Sequence, residues 1–301
     1  MIYPRLFIGP MSKDIVDIAI NYSKNNKIAL IPSRRQIALN GGYVNNWSTS
    51  NFSKYVKSKS TNITLFRDHG GPKQGVDDDS GIESFLCDIK NNFDFLHIDP
   101  WKNCNSFEDG INQTINLINI CYSKNKKTCY EVGTEEAIYP YSTSQLKYFL
   151  EKLKSSLNEE IFHNIKFVVV QSGVRISGTR NIGKFNPGRL EKMVKIANKF
   201  GILTKEHNGD YLTKQQIKKR VNIGLSGINI APEFGVTQTN LLLSKGLDLS
   251  TAYEECIKAD KYKKWIPEAD INPKEFLVIQ VSGHYSYLQE PFLSANKTIK
   301  Q

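Results

Sequence analysis

The stretch NITLFRDHGG, residues 62–71, passes from a β-rich apolar run into an acid, an imidazole and two glycines. Alone it fits a strand that ends in a polar turn. Its weight comes from recurrence, because the same layout of an apolar run closing on polar groups appears along most of the chain. RLFIGPMS (5–12), KIALIPSRRQ (27–36) and FDFLHIDP (93–100) share it. So do TCYEVGTEE (128–136), IKFVVVQSG (165–173), ILTKEHNGD (202–210) and GINIAPEFG (227–235). Between these runs lie segments such as DIVDIAINYSK, GIESFLCDIKNN, SQLKYFLEKLKSSL and GRLEKMVKIANKF, whose apolar residues recur at i, i+3 and i+4, the period of an amphipathic helix.

Continuously apolar strands joined by helices predict a parallel sheet covered on both faces. Eight such units in about 240 residues match the usual count and length of a (β/α)8 TIM barrel. An open doubly wound sheet would carry a glycine-rich phosphate turn after its first strand, and FIGPMSKD is not GxGxxG. The fold expected is therefore α/β, a (β/α)8 TIM barrel in a single domain spanning 1–301. Closing helices are expected from about 238 to 290, and no linker-like stretch divides the chain.

Composition narrows the function classes. With 40% apolar and 23% charged residues the chain reads as globular, and no apolar run approaches the roughly 18 residues of a membrane span. No secretory leader is visible after Met1, and the five cysteines are odd in number and lack CxxC spacing. A cytoplasmic protein with reduced thiols is expected, with no membrane partner. The formal charge of +10 lacks the interleaved aromatic and basic residues of a nucleic-acid surface, so no nucleic-acid partner is expected.

In such a barrel the chemistry sits at the C-terminal ends of the strands. Three of the five histidines fall there, His69, His97 and His207. With them stand Ser33, Arg34, Arg35, Gln36, Asp68, Asp99, Glu135, Glu136, Gln171, Arg175, Asp210 and Glu233. Imidazoles joined by a carboxylate suit zinc, cobalt or manganese, and ligands converging from separate strands would leave a position open for a substrate oxygen. Arg34, Arg35, Arg67, Arg175, Arg180 and Lys205 are candidate phosphate-binding cations.

SRRQIALNGGYVNNWSTSNF, RDHGGP, LHIDPWKNC, YEVGTEEA, VVVQSGV and KEHNGDYLT together resemble, in the same order, the motifs of the non-catalytic subunit family of class II tagatose-bisphosphate aldolases. That resemblance runs from about Ile8 to Glu233 and implies a barrel related to the zinc-dependent class II aldolases, whose active members make or cleave a carbon–carbon bond in phosphorylated sugars. It implies a divalent metal, most simply zinc, on His69, Glu135 and His207, with His97 in reserve. Asp68, Asp99 or Glu136 would be the catalytic base. Ser33, Arg34, Arg35, Gln36, Gln171, Arg175, Arg180, Lys205 and Asp210 would bind substrate. The partner expected is a phosphorylated sugar or keto sugar, with a homo-oligomer possible. The alternative is a barrel that does no chemistry and stabilises a separate catalytic aldolase. SRRQ departs from the family by carrying arginines in place of smaller polar residues, and the glycine after His69 replaces an apolar residue.

Overall fold

The computed structural model describes residues 3–76, 79–266 and 274–300. Eight parallel strands close into a barrel: β1 (Leu6–Ile8), β2 (Ile28–Leu30), β3 (Ile63–Gly70), β4 (Phe95–Ile98), β5 (Cys129–Val132), β6 (Ile165–Val169), β9 (Leu203–Glu206) and β10 (Gly227–Ile230). β10 returns to pair with β1, Leu6 opposite Ile228 and Ile8 opposite Ile230, so the barrel has no free edge. Each strand is shorter than its run, and in all but β3 most of the polar end of the run leaves the ladder to form the loop above it. β7 (Ile176–Ser177) and β8 (Arg180–Asn181), absent from the sequence expectation, form a small antiparallel hairpin after β6. It turns through Gly178, whose φ of +56° is left-handed.

The helices that cover the barrel begin where short polar side chains can cap them. Ser12, Ser48, Ser106, Ser142 and Thr213 each accept from a backbone N–H of the first turn. Ser142 with Gln145 and Thr213 with Gln216 close full capping boxes. Beyond β10 the chain adds helices Pro232–Ser244, Leu249–Ala259, Glu275–Ser282 and Glu290–Lys300. They pack around a core of their own built on Leu242, Ala252, Cys256, Val278, Ile279 and Phe292. Among the described residues no helix is long and apolar enough to cross a membrane.

The lumen is filled in layers by the inward residues of alternate positions. At the bottom Phe7, Phe66, Phe95 and Phe167 meet edge to face, except Phe66 and Phe95, which stack at 4.2 Å. Above them lies the buried Lys205–Glu131 ion pair, Nζ to Oε2 2.5 Å. The histidines lie above that.

Arg67, expected among the cations facing an anion, points the other way. One residue out of phase with Phe66 and Asp68, it is fully buried between β3 and helix Ile82–Lys90. It grips Asp88 through Nε (2.8 Å) and Nη2 (2.6 Å), and donates to the carbonyls of Pro32, Ser33 and Ile37. Removing one partner of such a pair strands a buried charge, which costs about 3–5 kcal/mol. Arg67→Met is expected to lower the free energy of denaturant unfolding by that amount, and Arg67→Met with Asp88→Leu is expected to recover most of it. A single variant as stable as the parent would show that the pair holds nothing.

Candidate metal centre and active site

Asp68 and His69 are adjacent in a strand, where successive side chains normally face opposite sides. Both reach the barrel mouth because β3 is irregular there: its register against β4 shifts between Arg67 and Gly70, and His69 takes a left-handed φ of +44°. A Cβ at Gly70 would lie 2.2 Å from Cε1 of Phe85 and 2.9 Å from the His97 carbonyl oxygen, so glycine lets β3 pack closely against β4 and the covering helix there. His97 is the penultimate residue of β4 and His207 follows β9 directly, each in phase with the lumen residue two positions earlier, Phe95 and Lys205.

One nitrogen from each of His69, His97 and His207 lies within 4.8 Å of the other two. The remaining nitrogen of each ring is held from behind. His69 Nδ1 bonds Asp99 Oδ2 at 2.6 Å, His97 Nε2 bonds the Gly133 carbonyl at 2.9 Å, and His207 Nε2 bonds Glu131 Oε1 at 3.0 Å. These partners hold the outer N–H and leave His69 Nε2, His97 Nδ1 and His207 Nδ1 turned inward. Each of those inner nitrogens is 3.8 Å from a carboxylate oxygen of Asp68. The backbone N–H of His69 also donates to His97 Nδ1 (3.2 Å), so His97 alone of the three has a donor competing for its inner lone pair.

The electrostatics follow from this crowding. Burial opposes charge on Asp68, but His69, His97, His207 and Lys205 outweigh it and hold its carboxyl well below the usual range. For His69, burial lowers the pKa, yet the Asp68 charge and the Asp99 hydrogen bond raise it to about 9. Burial leaves His207 below its ordinary value despite Glu131 and Asp68. Glu131 itself, raised by burial, is brought down to about 2 by Lys205, His97 and His207. Three convergent nitrogens, each anchored by an outer partner and ringing a carboxylate, fit a divalent ion that prefers nitrogen donors.

The other expected site residues fall into separate places. Glu135 stands outside the trio, its Oε2 accepting from Asn208 Nδ2 at 2.5 Å. Asp99 is fully buried behind His69 and also accepts from Gln74 Nε2 at 2.9 Å, so it orients the ring. Glu136 lies half-buried in the turn after β5. Lys205 sits beneath the trio, within 4.4 Å of the Phe7 ring centroid and 4.5 Å of that of Phe66. Gln171 spends its amide on Tyr141, Thr134 and Tyr139. Asp210 accepts the backbone N–H groups of Ala231 and Glu233, and burial pushes its carboxyl up to about 7. Gln36 braces Ser33 N–H and Pro10. Arg34 is buried, bonded to the Gly71 carbonyl (2.7 Å) and to Asp79 (2.5 Å). Arg35 is exposed at the mouth beside Ser33, while Arg175 and Arg180 are exposed on the β7–β8 hairpin. Glu131 was missed in the sequence. Its one signal is a charge inside an apolar strand, in phase with the lumen.

No family model matches the chain, and no curated protein matches it by sequence. Solved structures do match in fold. A protein described as a probable tagatose 6-phosphate kinase from Sinorhizobium meliloti superposes with a TM-score of 0.78 at 16% identity, over 98% of this chain and 86% of that one. A fructuronate-tagaturonate epimerase from Cohnella laeviribosi gives 0.65 at 13% identity, over 99% and 77%. A fructose-bisphosphate aldolase from Campylobacter jejuni gives 0.57 at 16% identity, over 98% and 90%. At these identities the shared property is the fold: a closed eight-stranded parallel barrel of the kind found among aldolases and sugar-processing enzymes.

An ion at the trio must displace the proton that His69 keeps up to a pKa of about 9. Zinc affinity, measured by competition with a chelating dye, is expected to strengthen as pH rises toward 9 and to weaken as it falls. His69→Ala and His207→Ala are expected to abolish stoichiometric binding. His97→Ala should weaken it less, because its lone pair is already shared with His69 N–H. Zinc retained at full stoichiometry in all three variants would rule out the trio.

Proposed function

We propose that the chain is a metal-dependent aldolase-type enzyme that makes or cleaves a carbon–carbon bond in a phosphorylated sugar or keto sugar. The observation that carries this reading is the convergence of three inward imidazole nitrogens around the Asp68 carboxylate at the barrel mouth. The ordered motifs that resemble the tagatose-bisphosphate aldolase family support it, as does a fold shared with aldolases. A divalent ion on His69, His97 and His207, zinc by the chemistry of the donors, would supply Lewis acidity toward a substrate carbonyl.

The protein's own groups do the rest. Asp68, partly open to the mouth and 3.8 Å from each inner imidazole nitrogen, is the base of this proposal. In the cleavage direction its carboxylate accepts the proton from the hydroxyl whose carbon departs as an aldehyde, and returns a proton to the carbon left behind. Asn229 Nδ2, at 3.5 Å from Asp68 Oδ1, limits how that carboxylate turns. Asp99, Gly133 and Glu131 hold the three rings, so no ring must reorganise when substrate arrives. Asp99 and Glu136 are thereby left as orienting and peripheral groups. The complete set of ligands and base favours chemistry over a purely supporting role.

The test is a panel of ketose phosphates incubated with the zinc-loaded protein, the aldehyde product being followed by coupled reduction. Asp68→Asn is expected to lower kcat by roughly 10²–10⁴ while zinc content stays unchanged. A zinc-loaded chain inert toward the whole panel that raises the activity of a separate aldolase would establish the supporting role instead.

A further inference from the structure

A cavity of about 180 Å³ lies at the seam between the barrel and its C-terminal helical cap. The barrel side is built from the loop after β1, the start of helix Lys13–Tyr22, and Tyr43 to Asn45 in the loop after β2. The cap side brings Gln238 of helix Pro232–Ser244, Asn296 of helix Glu290–Lys300 and His284 of the 3-10 turn Gly283–Tyr285. None of His69, His97 and His207 lines it. Tyr43 is shared with a larger cavity of about 620 Å³ at the mouth, which Ser33 and Arg35 also line.

His284 is the group in this wall that the fold leaves unserved. It is 1% exposed, yet among the described residues neither Nδ1 nor Nε2 has a hydrogen-bond partner. Its ring is seated against helix Pro232–Ser244, where a Cβ at Gly235 would lie 3.0 Å from its Cγ and Nδ1, and the Tyr285 ring packs on it at 4.1 Å between centroids. Burial, with the Lys264 charge adding to it, lowers His284 to about 3, so the ring is neutral and offers one N–H and one lone pair. Groups of this kind cost stability when buried without a partner. Around the imidazole, a chain of polar side chains is already bonded together. Ser12 Oγ donates to Gln238 Oε1 (2.5 Å), Gln238 Nε2 donates to Asp14 Oδ2 (3.2 Å), and Asn296 Nδ2 donates to the same oxygen (2.7 Å). Lys13, the cation on the wall, is paired with Asp17 at 2.5 Å. The carboxylate of Asp14 therefore sets the sign of the cavity and opposes an anion.

At about 30 Å³ for each water in the liquid, the cavity has the room of about six waters or of one small organic molecule. We propose that the seam is a second ligand site, separate from the histidine trio, for a neutral polyol the size of glycerol, bound through His284. A hydroxyl both gives and takes a hydrogen bond, so it serves the imidazole in either tautomer, whereas an anion serves only its N–H and a cation only its lone pair. Among the described residues no set of three metal-ligating groups converges here. Met11, Leu288 and Leu293 line the apolar part of the wall, where the carbon chain of a polyol would lie. The inference uses none of the groups at the centre and stands independently of the aldolase reading.

The experiment is an NMR titration of the full chain labelled with 15N-histidine, the His284 ring being assigned by the signals lost in His284→Phe. His284→Gln, which keeps one donor and one acceptor, gives the same assignment if the phenylalanine variant does not fold. Glycerol is expected to shift the His284 ring nitrogens along a saturable curve that is half-complete below about 100 mM. Glycerate, of the same carbon count but anionic, is expected to bind about tenfold more weakly, and Asp14→Asn to bring it within about threefold of glycerol. A linear drift without saturation would mean that water alone occupies the seam, and overturns the proposal. So does a curve carried by His69 and His207 in place of His284, which would put the polyol at the mouth. Glycerate binding as tightly as glycerol to the parent, or the cationic analogue serinol binding more tightly, overturns the assignment to a neutral polyol.

Discussion

The two-residue alternation of the barrel strands, broken once at Arg67–Gly70, is the constraint on which the centre depends. Along β3, β4 and β9 every second side chain enters the lumen, so the series Phe66–Asp68, Phe95–His97 and Leu203–Lys205–His207 rise from a dry floor to a polar mouth. Regular pleating alone would deliver Asp68, His97 and His207. The irregularity and left-handed backbone at His69 bring in a fourth inward side chain from the residue next to Asp68. The phenylalanine floor keeps water from beneath, and in that low-dielectric setting the Lys205 ammonium acts on Glu131 more strongly than it would in water. Lys205 keeps Glu131 ionised, and Glu131 in turn holds the outer nitrogen of His207.

The outward positions carry a complementary device. Arg67 immediately precedes Asp68, and Glu206 immediately precedes His207. Both point away from the lumen into buried ion pairs, Arg67 with Asp88 and Glu206 with Arg220 at 2.8 Å. Glu206 also accepts from the backbone and hydroxyl of Ser172 in the loop after β6. Buried pairs gain little net stability, since desolvation consumes most of their attraction. Here they act on register. A one-residue slip of β3 or β9 would drive a guanidinium or carboxylate into the phenylalanine plug and turn the site residues outward.

Much of this was legible because it is local. Each strand announced itself as an apolar run, and the clustering of histidines at run ends identified the mouth before any geometry was known. What was illegible depends on direction and on contacts between distant segments. Arg34, Arg67, Lys205 and Asp210 all look like mouth residues in sequence, yet burial turns each toward a partner tens of residues away. His97, the reserve candidate, joins the convergent trio while Glu135 stands outside it, since membership is set by distance across the lumen and not by order in the chain.

The paired arginines of SRRQ are sent to different places by the structure. At the end of β2 they diverge, Arg34 inward under the loop and Arg35 out to the cavity. Arg34 fastens Gly71 and Asp79, the two ends of the segment that carries Gln74. Gln74 donates to Asp99, and Asp99 fixes Nδ1 of His69. A buried side chain is therefore joined to the imidazole of His69 through three hydrogen-bonded contacts and the segment between them. Its neighbour Arg35 is exposed on the wall of the mouth cavity, where its Nε donates to the Gly75 carbonyl at 3.0 Å.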